Sequence, residues 1–313
     1  MSLIGEVYKV EFNSESNSWV GAFCFLSEDK LLLNFLDNEH GSWIKQLEDS
    51  NTPKSVDFAV DVMSREPNVV FNYVCNKESV VRSELDIAEY YPRIWRGIHS
   101  LNIFEIASPI KPLRIYGSLV TQSSVAVDSL FKSIEELFRF YEPSIKNREA
   151  FGHRNRELLI LLCTEIENAW RSVLNCNLPL NLIRNRYNTG DYIKLKEPLK
   201  LDAWKVKLSN YPDYPEICPF ESWAESAPTN SIAWYEAYNS VKHDREGAFE
   251  KATFKHLLDA AAALHIMQCA QWGLENRHYT IFDTLAWPQF KIEEQYVCPV
   301  EGETWIEKKY FSE

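Results

Sequence analysis

The sequence predicts an α+β protein in which an N-terminal antiparallel β domain is followed by an α-helical bundle. Short, mostly apolar segments rich in Val, Phe and Tyr fill the chain up to residue 121, which is typical of strands. Beyond residue 125, the apolar residues recur at the helical period. Apolar residues make up 45% of the chain and charged residues 25%, as in ordinary soluble domains.

Two kinds of segment predict the strands of the β domain, residues 1–121. Residues 8–12 and 56–62 alternate between apolar and polar or small side chains, the pattern of a half-buried strand. Four further segments are short apolar runs: residues 19–25, 31–36, 69–75 and 113–119. The polar stretch 13–18 between the first strands predicts a hairpin loop.

The helical domain is predicted over residues 122–290. Apolar stripes indicate helices over 127–141 and 154–174, the first ended by Pro143. Two more helices are expected over 231–245 and 248–272. The Pro-rich and aromatic-rich connection 175–230 is expected to hold a strand pair near 192–195 and 204–208, and residues 291–313 to form a strand-like tail.

Charge and cysteine usage narrow the classes of function. The net charge of −12 and the pI near 5.2 disfavour a broad nucleic-acid-binding surface, which needs cations to neutralise phosphates. A local basic pocket stays compatible with this acidity. The seven Cys form no CxxC pair, so we expect buried free thiols in a reducing compartment.

The chain lacks several sequence features that would indicate a membrane, cofactor-binding or metal-binding protein. No apolar span of about 18 residues and no signal-peptide pattern occurs, so the sequence predicts a cytoplasmic protein without membrane association. No phosphate-binding glycine loop, nucleophile elbow or zinc-protease motif is present, and we expect no cofactor and no metal.

The polar run over residues 238–245 is the strongest candidate site. Asn239 and His243 are four residues apart and share a helix face, and Tyr238 and Lys242 form the neighbouring line. The imidazole of His243 is suited to acid–base chemistry on a phosphodiester. Asn239 is expected to orient the imidazole or the phosphate, while Lys242 and Arg245 stabilise developing negative charge.

The same residues also fit a purely structural role. Lys, His and Arg in the last turn of a helix interact favourably with its free carbonyls and its dipole. Gly247 follows at a position where a left-handed residue commonly ends a helix. The sequence leaves both interpretations open.

Three other groups of residues carry functional interpretations that compete with structural ones. Glu165 lies at the edge of an apolar stripe and needs a partner, for which Lys242, His243 and Arg245 are candidates, while Glu167 is expected to pair with Arg171. Cations near the start of the second helix and beyond it are expected either to face phosphate or to be solvated: His153, Arg154, Arg156, Arg184 and Arg186. In the last helix, His256 and Asp259 are close enough to touch, but with His265 they lack a metal-ligand spacing. The alanines 260–263 favour a packed core helix or a dimer face.

The stretch WYEAYNSVKHDR, residues 234–245, followed by an Ala-rich helix, resembles the HEPN superfamily of four- or five-helix bundles. The resemblance covers residues 125–273. It implies metal-independent RNA cleavage by a bacterial toxin or defence protein, with two copies of the motif facing each other across a homodimer of the helical domain.

In this resemblance His243 corresponds to the family histidine and Asn239 to the polar residue that precedes it. The family arginine is missing, and Tyr238 stands in its place. Two hypotheses follow. Either Lys242 or Arg245 replaces the missing cation and the chain cleaves RNA, or the chain is a non-catalytic HEPN-like interaction or sensor module that binds a protein partner.

Overall fold

The computed structural model describes residues 6–13, 18–25, 27, 30–37, 41–48, 55–65, 74–86, 88–96, 112–244, 246–274, 281–294, 296 and 305–311. The chain divides into two compact units. One comprises Met1–Tyr90, Arg96–Ile115 and Gln289–Lys308, and the other comprises Tyr91–Trp95, Tyr116–Pro288 and Lys309–Glu313. The first is built on an antiparallel sheet and the second on helices, which confirms the α+β class.

The sheet of the first unit has five strands in the order β4-β3-β2-β1-β5, and every neighbouring pair is antiparallel. Its strands are β1 (Val7–Asn13), β2 (Ser18–Phe25), β3 (Lys30–Asp37), β4 (Gly41–Glu48) and β5 (Val74–Arg82). The predicted strands at 8–12, 19–25 and 31–36 are therefore confirmed. Residues 14–17 of the predicted loop and residues 69–73 of the predicted apolar run 69–75 lie outside the described residues.

Residues 56–62, predicted as a strand, are helical, and this prediction was wrong. Helix α1 spans Val56–Arg65. The Ser55 hydroxyl accepts a hydrogen bond from the Phe58 amide at 3.1 Å and caps the first turn. Ala59, Val60 and Met63 are buried against one face of the sheet, a helical spacing that the alternation of 56, 58, 60 and 62 conceals.

The opposite face of the sheet buries a charged residue. Lys9 is fully buried on β1, and its Nζ donates to the main-chain carbonyl of Glu293 at 3.0 Å. Burial lowers the pKa of Lys9 to about 7, although the nearby carboxylates Glu84, Glu293 and Glu294 raise it. A short parallel pair, β6 (Glu89–Tyr90) with β9 (Ile306–Glu307), completes the described strands of this unit.

Residues 113–119, also predicted as a strand, belong to helix α2 (Pro112–Phe138). A short apolar run does not distinguish a strand from a buried helix segment, and Pro112 stands at the first helical position, which proline favours. The predicted helix at 127–141 is confirmed as the second half of α2. There Val127, Phe131 and Ile134 are buried.

The second unit is organised around three further long helices, all predicted. They are α3 (His153–Asn177), α5 (Ala233–His243) and α6 (Phe254–Trp272). Of the 19 residues of α6, 16 are buried, so this helix is the centre of the unit. No helix in the described part of the chain is long and apolar enough to cross a bilayer.

The connection between α3 and α5 differs from its prediction in one respect. Residues 192–195 are helical, because Asn188 and Asp191 form a reciprocal capping box that starts α4 (Thr189–Tyr192). The strand predicted near 204–208 is present as β7 (Lys205–Leu208). Its partner is β8 (Phe282–Ala286), which lies far along the sequence.

Candidate functional site

Helix α5 is fixed by its aromatic face. Trp234, Tyr235, Tyr238 and Val241 recur at helical spacing and are buried. The indole nitrogen of Trp234 donates to the carbonyl of Pro219 at 3.0 Å, so its polar edge is satisfied inside the unit. This face determines which side chains of the polar run point outward.

An aromatic cluster around Trp170 of α3 receives this face. The Trp170 ring lies 5.1 Å from Tyr192, 5.2 Å from Trp223 and 5.4 Å from Tyr235, measured between ring centroids. Trp170 is fully buried. The cluster joins α3, α4, α5 and the 175–230 connection, and it forms the packed base of the candidate site.

Two hydrogen bonds connect the cluster to charged side chains. The Tyr235 hydroxyl donates to Glu167 Oε1 at 2.8 Å, and the Lys242 ammonium donates to the Tyr238 hydroxyl at 2.7 Å. Burial, followed by the charge of Glu167, raises the pKa of Tyr235 well above its usual range. Burial likewise raises the pKa of Tyr238, while the bond to Tyr238 raises that of Lys242. At neutral pH, both phenols are therefore protonated and Lys242 is charged.

Asn239, the predicted orienting residue, is bound to its own helix. Its side-chain nitrogen donates to the Tyr235 carbonyl one turn earlier at 3.0 Å. The shared face of Asn239 and His243 is present, as the spacing predicts, but the donating end of the amide is engaged by main chain.

His243 is exposed and is the last residue of α5. Among the described residues, no side chain or carbonyl forms a hydrogen bond with its imidazole. Arg245, the fourth predicted site residue, lies outside the described residues. The structure thus brings Lys242 and Tyr238 together and places His243 on the surface, where none of the described residues orients its imidazole.

Arg156, a cation on α3, binds the last turn of α5, and the sequence patterns did not indicate this contact. Arg156 donates through Nε and Nη2 to the Val241 carbonyl at 3.2 and 3.1 Å. A guanidinium at this position satisfies a free carbonyl and interacts with the negative end of the helix dipole. Arg156 precedes Val241 by 85 residues, so no local spacing could reveal the pair.

The segment after α5 folds back onto it. Lys251 Nζ donates to Glu236 Oε1 at 2.8 Å and to the Ser240 hydroxyl at 3.0 Å. The bond from Lys251 lowers the pKa of Glu236. Asp244 accepts a hydrogen bond from the Gly247 amide at 2.8 Å. These contacts are those of a well-closed helix end.

Gly247 does not end the helix in the predicted way. Its φ is not positive, and the one described glycine in the left-handed region is Gly273, which follows α6. A Cβ on Gly247 would collide with the Asp244 carboxylate, so the close approach of Asp244 explains this glycine.

The carboxylate that faces α5 is Glu167, whereas the sequence analysis favoured Glu165. Glu167 receives the Tyr235 hydroxyl, and the expected Glu167–Arg171 ion pair does not form between these two described residues. The predicted basic patch is also largely engaged. Arg154 pairs with Glu157 at 2.9 Å, and Arg184 pairs with Asp191.

The histidines of α6 are structural. His256 Nδ1 contacts the Lys251 carbonyl at 2.8 Å, and Asp259 pairs with Lys255 instead of His256. His265 is buried, with Nε2 2.9 Å from the Thr284 hydroxyl. Within the described residues, no group of three potential ligands is close enough to hold a metal ion.

The alanines of α6 and the described thiols lie in the interior. Residues 260–263 have no exposed surface, so these alanines allow close packing within the chain, and they are not a dimer face. No disulfide joins the five cysteines whose side chains are described, and Cys24, Cys163 and Cys269 are buried.

Comparison with known proteins adds no relative to this picture: no family model, no curated sequence and no solved structure matches the chain. The geometry of the site therefore decides which chemistry it can support. One exposed imidazole can exchange a proton, but in-line cleavage of a phosphodiester also needs a positioned second group. Of the three residues expected to provide it, Asn239 and Lys242 are hydrogen-bonded to Tyr235 and Tyr238, and Arg245 lies outside the described residues.

Proposed function

We propose that this chain is a non-catalytic, HEPN-like interaction module. One observation carries the proposal: apart from the exposed His243, the described polar side chains of α5 are hydrogen-bonded within the chain. The Asn239 amide donates to main chain, the Lys242 ammonium donates to a buried phenol, and Glu236 and Ser240 hold Lys251. Residues that resemble a catalytic motif therefore stabilise the end of a helix. The net charge of −12 also favours a protein partner over RNA.

A second candidate function is a metal-independent RNA endonuclease of toxin or defence type. The exposure of His243 at the end of α5, directly after the charged Lys242, favours it. In this version a homodimer of the helical domain would bring two His243 imidazoles to one phosphodiester, and Arg245 would contribute the cation that the motif lacks.

A cleavage assay separates the two functions. Wild-type protein and His243→Ala are incubated with mixed tRNA and mRNA in EDTA, and circular dichroism verifies that both are folded. We expect intact RNA with both proteins, because none of the described residues is positioned as a second group to act with the imidazole. Cleavage by the wild type that disappears in His243→Ala would overturn the proposal and establish the nuclease. Equal cleavage by both proteins would also overturn it and would place the reactive group elsewhere.

A further inference from the structure

A cavity of about 320 Å³ opens at the other end of α3, away from the polar run. Leu174 and Leu178 from the end of α3 form its floor, and Leu182 and Tyr187 from the following turn form its walls. This volume lies at the lower end of the range for ligand-binding sites, which are typically about 300–1,000 Å³ and mainly apolar. It has room for one large apolar side chain.

The segment that contributes Leu182 to the cavity exposes aliphatic side chains. Leu180 is 84% exposed, Leu182 is 43% exposed and Ile183 is 37% exposed. The three lie within four consecutive positions, which we call the leucine loop, residues 180–183. Contiguous exposed apolar side chains beside a cavity typically mark an interaction surface. The loop therefore extends the contact area beyond the cavity.

Cations surround the same opening in an otherwise acidic chain. Arg184 and Lys194 line the cavity. Asp191 is the one acidic residue among the described lining residues, and it pairs with Arg184. The described lining thus carries a net positive charge, supplied by Lys194, which complements an acidic ligand.

Arg184 is also held in place before any ligand arrives. Its guanidinium carbon lies 5.3 Å from the centre of the Tyr187 ring, and its partner Asp191 is fixed because it accepts the Asn188 amide at 3.0 Å. The Tyr187 hydroxyl in turn contacts Asn175 at 2.8 Å. A preorganised cation loses little conformational entropy when a carboxylate binds to it.

We propose that this cavity binds an acidic peptide segment of a protein partner. One large apolar side chain of the peptide fills the cavity, the leucine loop packs against the neighbouring residues, and the flanking carboxylates face Lys194 and Arg184. The lining has three leucines and one aromatic ring, Tyr187, which favours an apolar side chain over a stacked base, since nucleic acids are bound by platforms of several aromatic rings. The inference rests on the proposed interaction role and adds the chemistry of the partner.

The test is a selection from a random peptide library displayed on its encoding RNA, with the immobilised full chain as bait. We expect enrichment of peptides that carry a Phe, Leu or Trp flanked by Asp or Glu. Fluorescence anisotropy then measures the affinity of the most enriched peptide. Leu182→Ser and Lys194→Glu should each weaken binding about tenfold or more, because each removes one half of the recognition.

Leu285→Ser is the matched control, since Leu285 is 38% exposed on β8, and its affinity should change less than about twofold. Thermal melts confirm that the variants fold. Enriched peptides without acidic residues, or equal binding by Leu182→Ser, would overturn the inference. Displacement of the peptide by single-stranded RNA would overturn it in favour of a nucleic acid. These failures would not overturn the proposed interaction role, because the RNA cleavage assay tests that role separately.

Discussion

The two ends of α3 have opposite characters. At its N-terminal end, Arg156 binds the last turn of α5, and the polar side chains around it are paired with one another. At its C-terminal end, Leu174 and Leu178 line an open cavity beside an exposed leucine loop. One end is rich in reactive residue types that, apart from the exposed His243, are hydrogen-bonded to one another, and the other is an open cavity with leucines in its lining.

A conspicuous polar motif and a binding surface therefore need not coincide. Lys, His, Asn and Tyr attract attention in a sequence because they can do chemistry, yet they also close helix ends. Exposed leucines are easily overlooked in a sequence. Solvated aliphatic surface nevertheless costs free energy and is typically retained where a partner covers it.

The largest effect is expected for Trp170→Ala, which removes the ring that lies between the two ends. Trp170 is fully buried and contacts five aromatic rings. The free energy of unfolding should fall by about 3–5 kcal/mol, the usual cost of emptying such a site. Trp287→Ala is the control, because Trp287 is 40% exposed. Similar denaturation midpoints for the two variants would show that the cluster does not support α3.

Lys9 in the sheet unit, like Arg156, donates to a main-chain carbonyl, but unlike Arg156 it can lose its charge. Its pKa is about 7 in the folded chain against 10.5 ordinarily. The unfolded chain therefore binds more protons between these values, and stability should rise with pH there by at most about 1.4 kcal/mol per pH unit.

Lys9→Met should remove that rise. Urea titrations of wild type, Lys9→Met and the exposed control Lys77→Met between pH 7 and 10 measure it. A slope that persists in Lys9→Met would assign the rise to another group.

Arg156→Met should lower the free energy of unfolding by about 1.5–3 kcal/mol, since a charged donor to the Val241 carbonyl and the partner of the helix dipole are both lost. Arg154→Met is the matched control in the same helix, because its ion pair with Glu157 is exposed and worth less than about 1 kcal/mol. Equal effects of the two substitutions would mean that the closure of α5 does not depend on Arg156.

The smallest effect concerns Glu236. Its pKa is lowered by Lys251, so the stability that it contributes is present above its ordinary pKa and is lost as the pH falls through the folded value. Because both side chains are more than a third exposed, the contribution is screened and we expect less than about 0.5 kcal/mol. Glu236→Gln should flatten this part of the acid denaturation curve. An unchanged curve would show that the ion pair contributes nothing.

Much of the fold follows from local patterns. The stripes of α3, α5 and α6 are long enough for the helical period to be unambiguous, and β1 to β3 alternate or form short apolar runs. The errors occurred where a short segment fits two periods. Val56–Arg65 reads as a strand unless Ala59 and Met63 are given weight as core positions, and residues 113–119 are too few to show that they continue into α2.

The site was predictable only in its composition. The spacing of Asn239 and His243 correctly places them on one helix face, but it does not reveal that the Tyr235 carbonyl already binds the amide. The choice between Glu165 and Glu167 depends on the rotation of α3 about its axis. The contact between Arg156 and Val241 is set by tertiary packing alone, and so is the cavity beneath the leucine loop.

The tryptophans of this chain are a built-in spectroscopic probe. Seven of the ten belong to the helical unit: Trp95, Trp170, Trp204, Trp223, Trp234, Trp272 and Trp287. All except Trp287 are buried. Intrinsic fluorescence is therefore dominated by shielded indoles, and Trp170 and Trp223, 5.2 Å apart, are close enough to exchange excitation. A red shift on denaturation will report the melting of the helices, and following the sheet unit will require a separate signal.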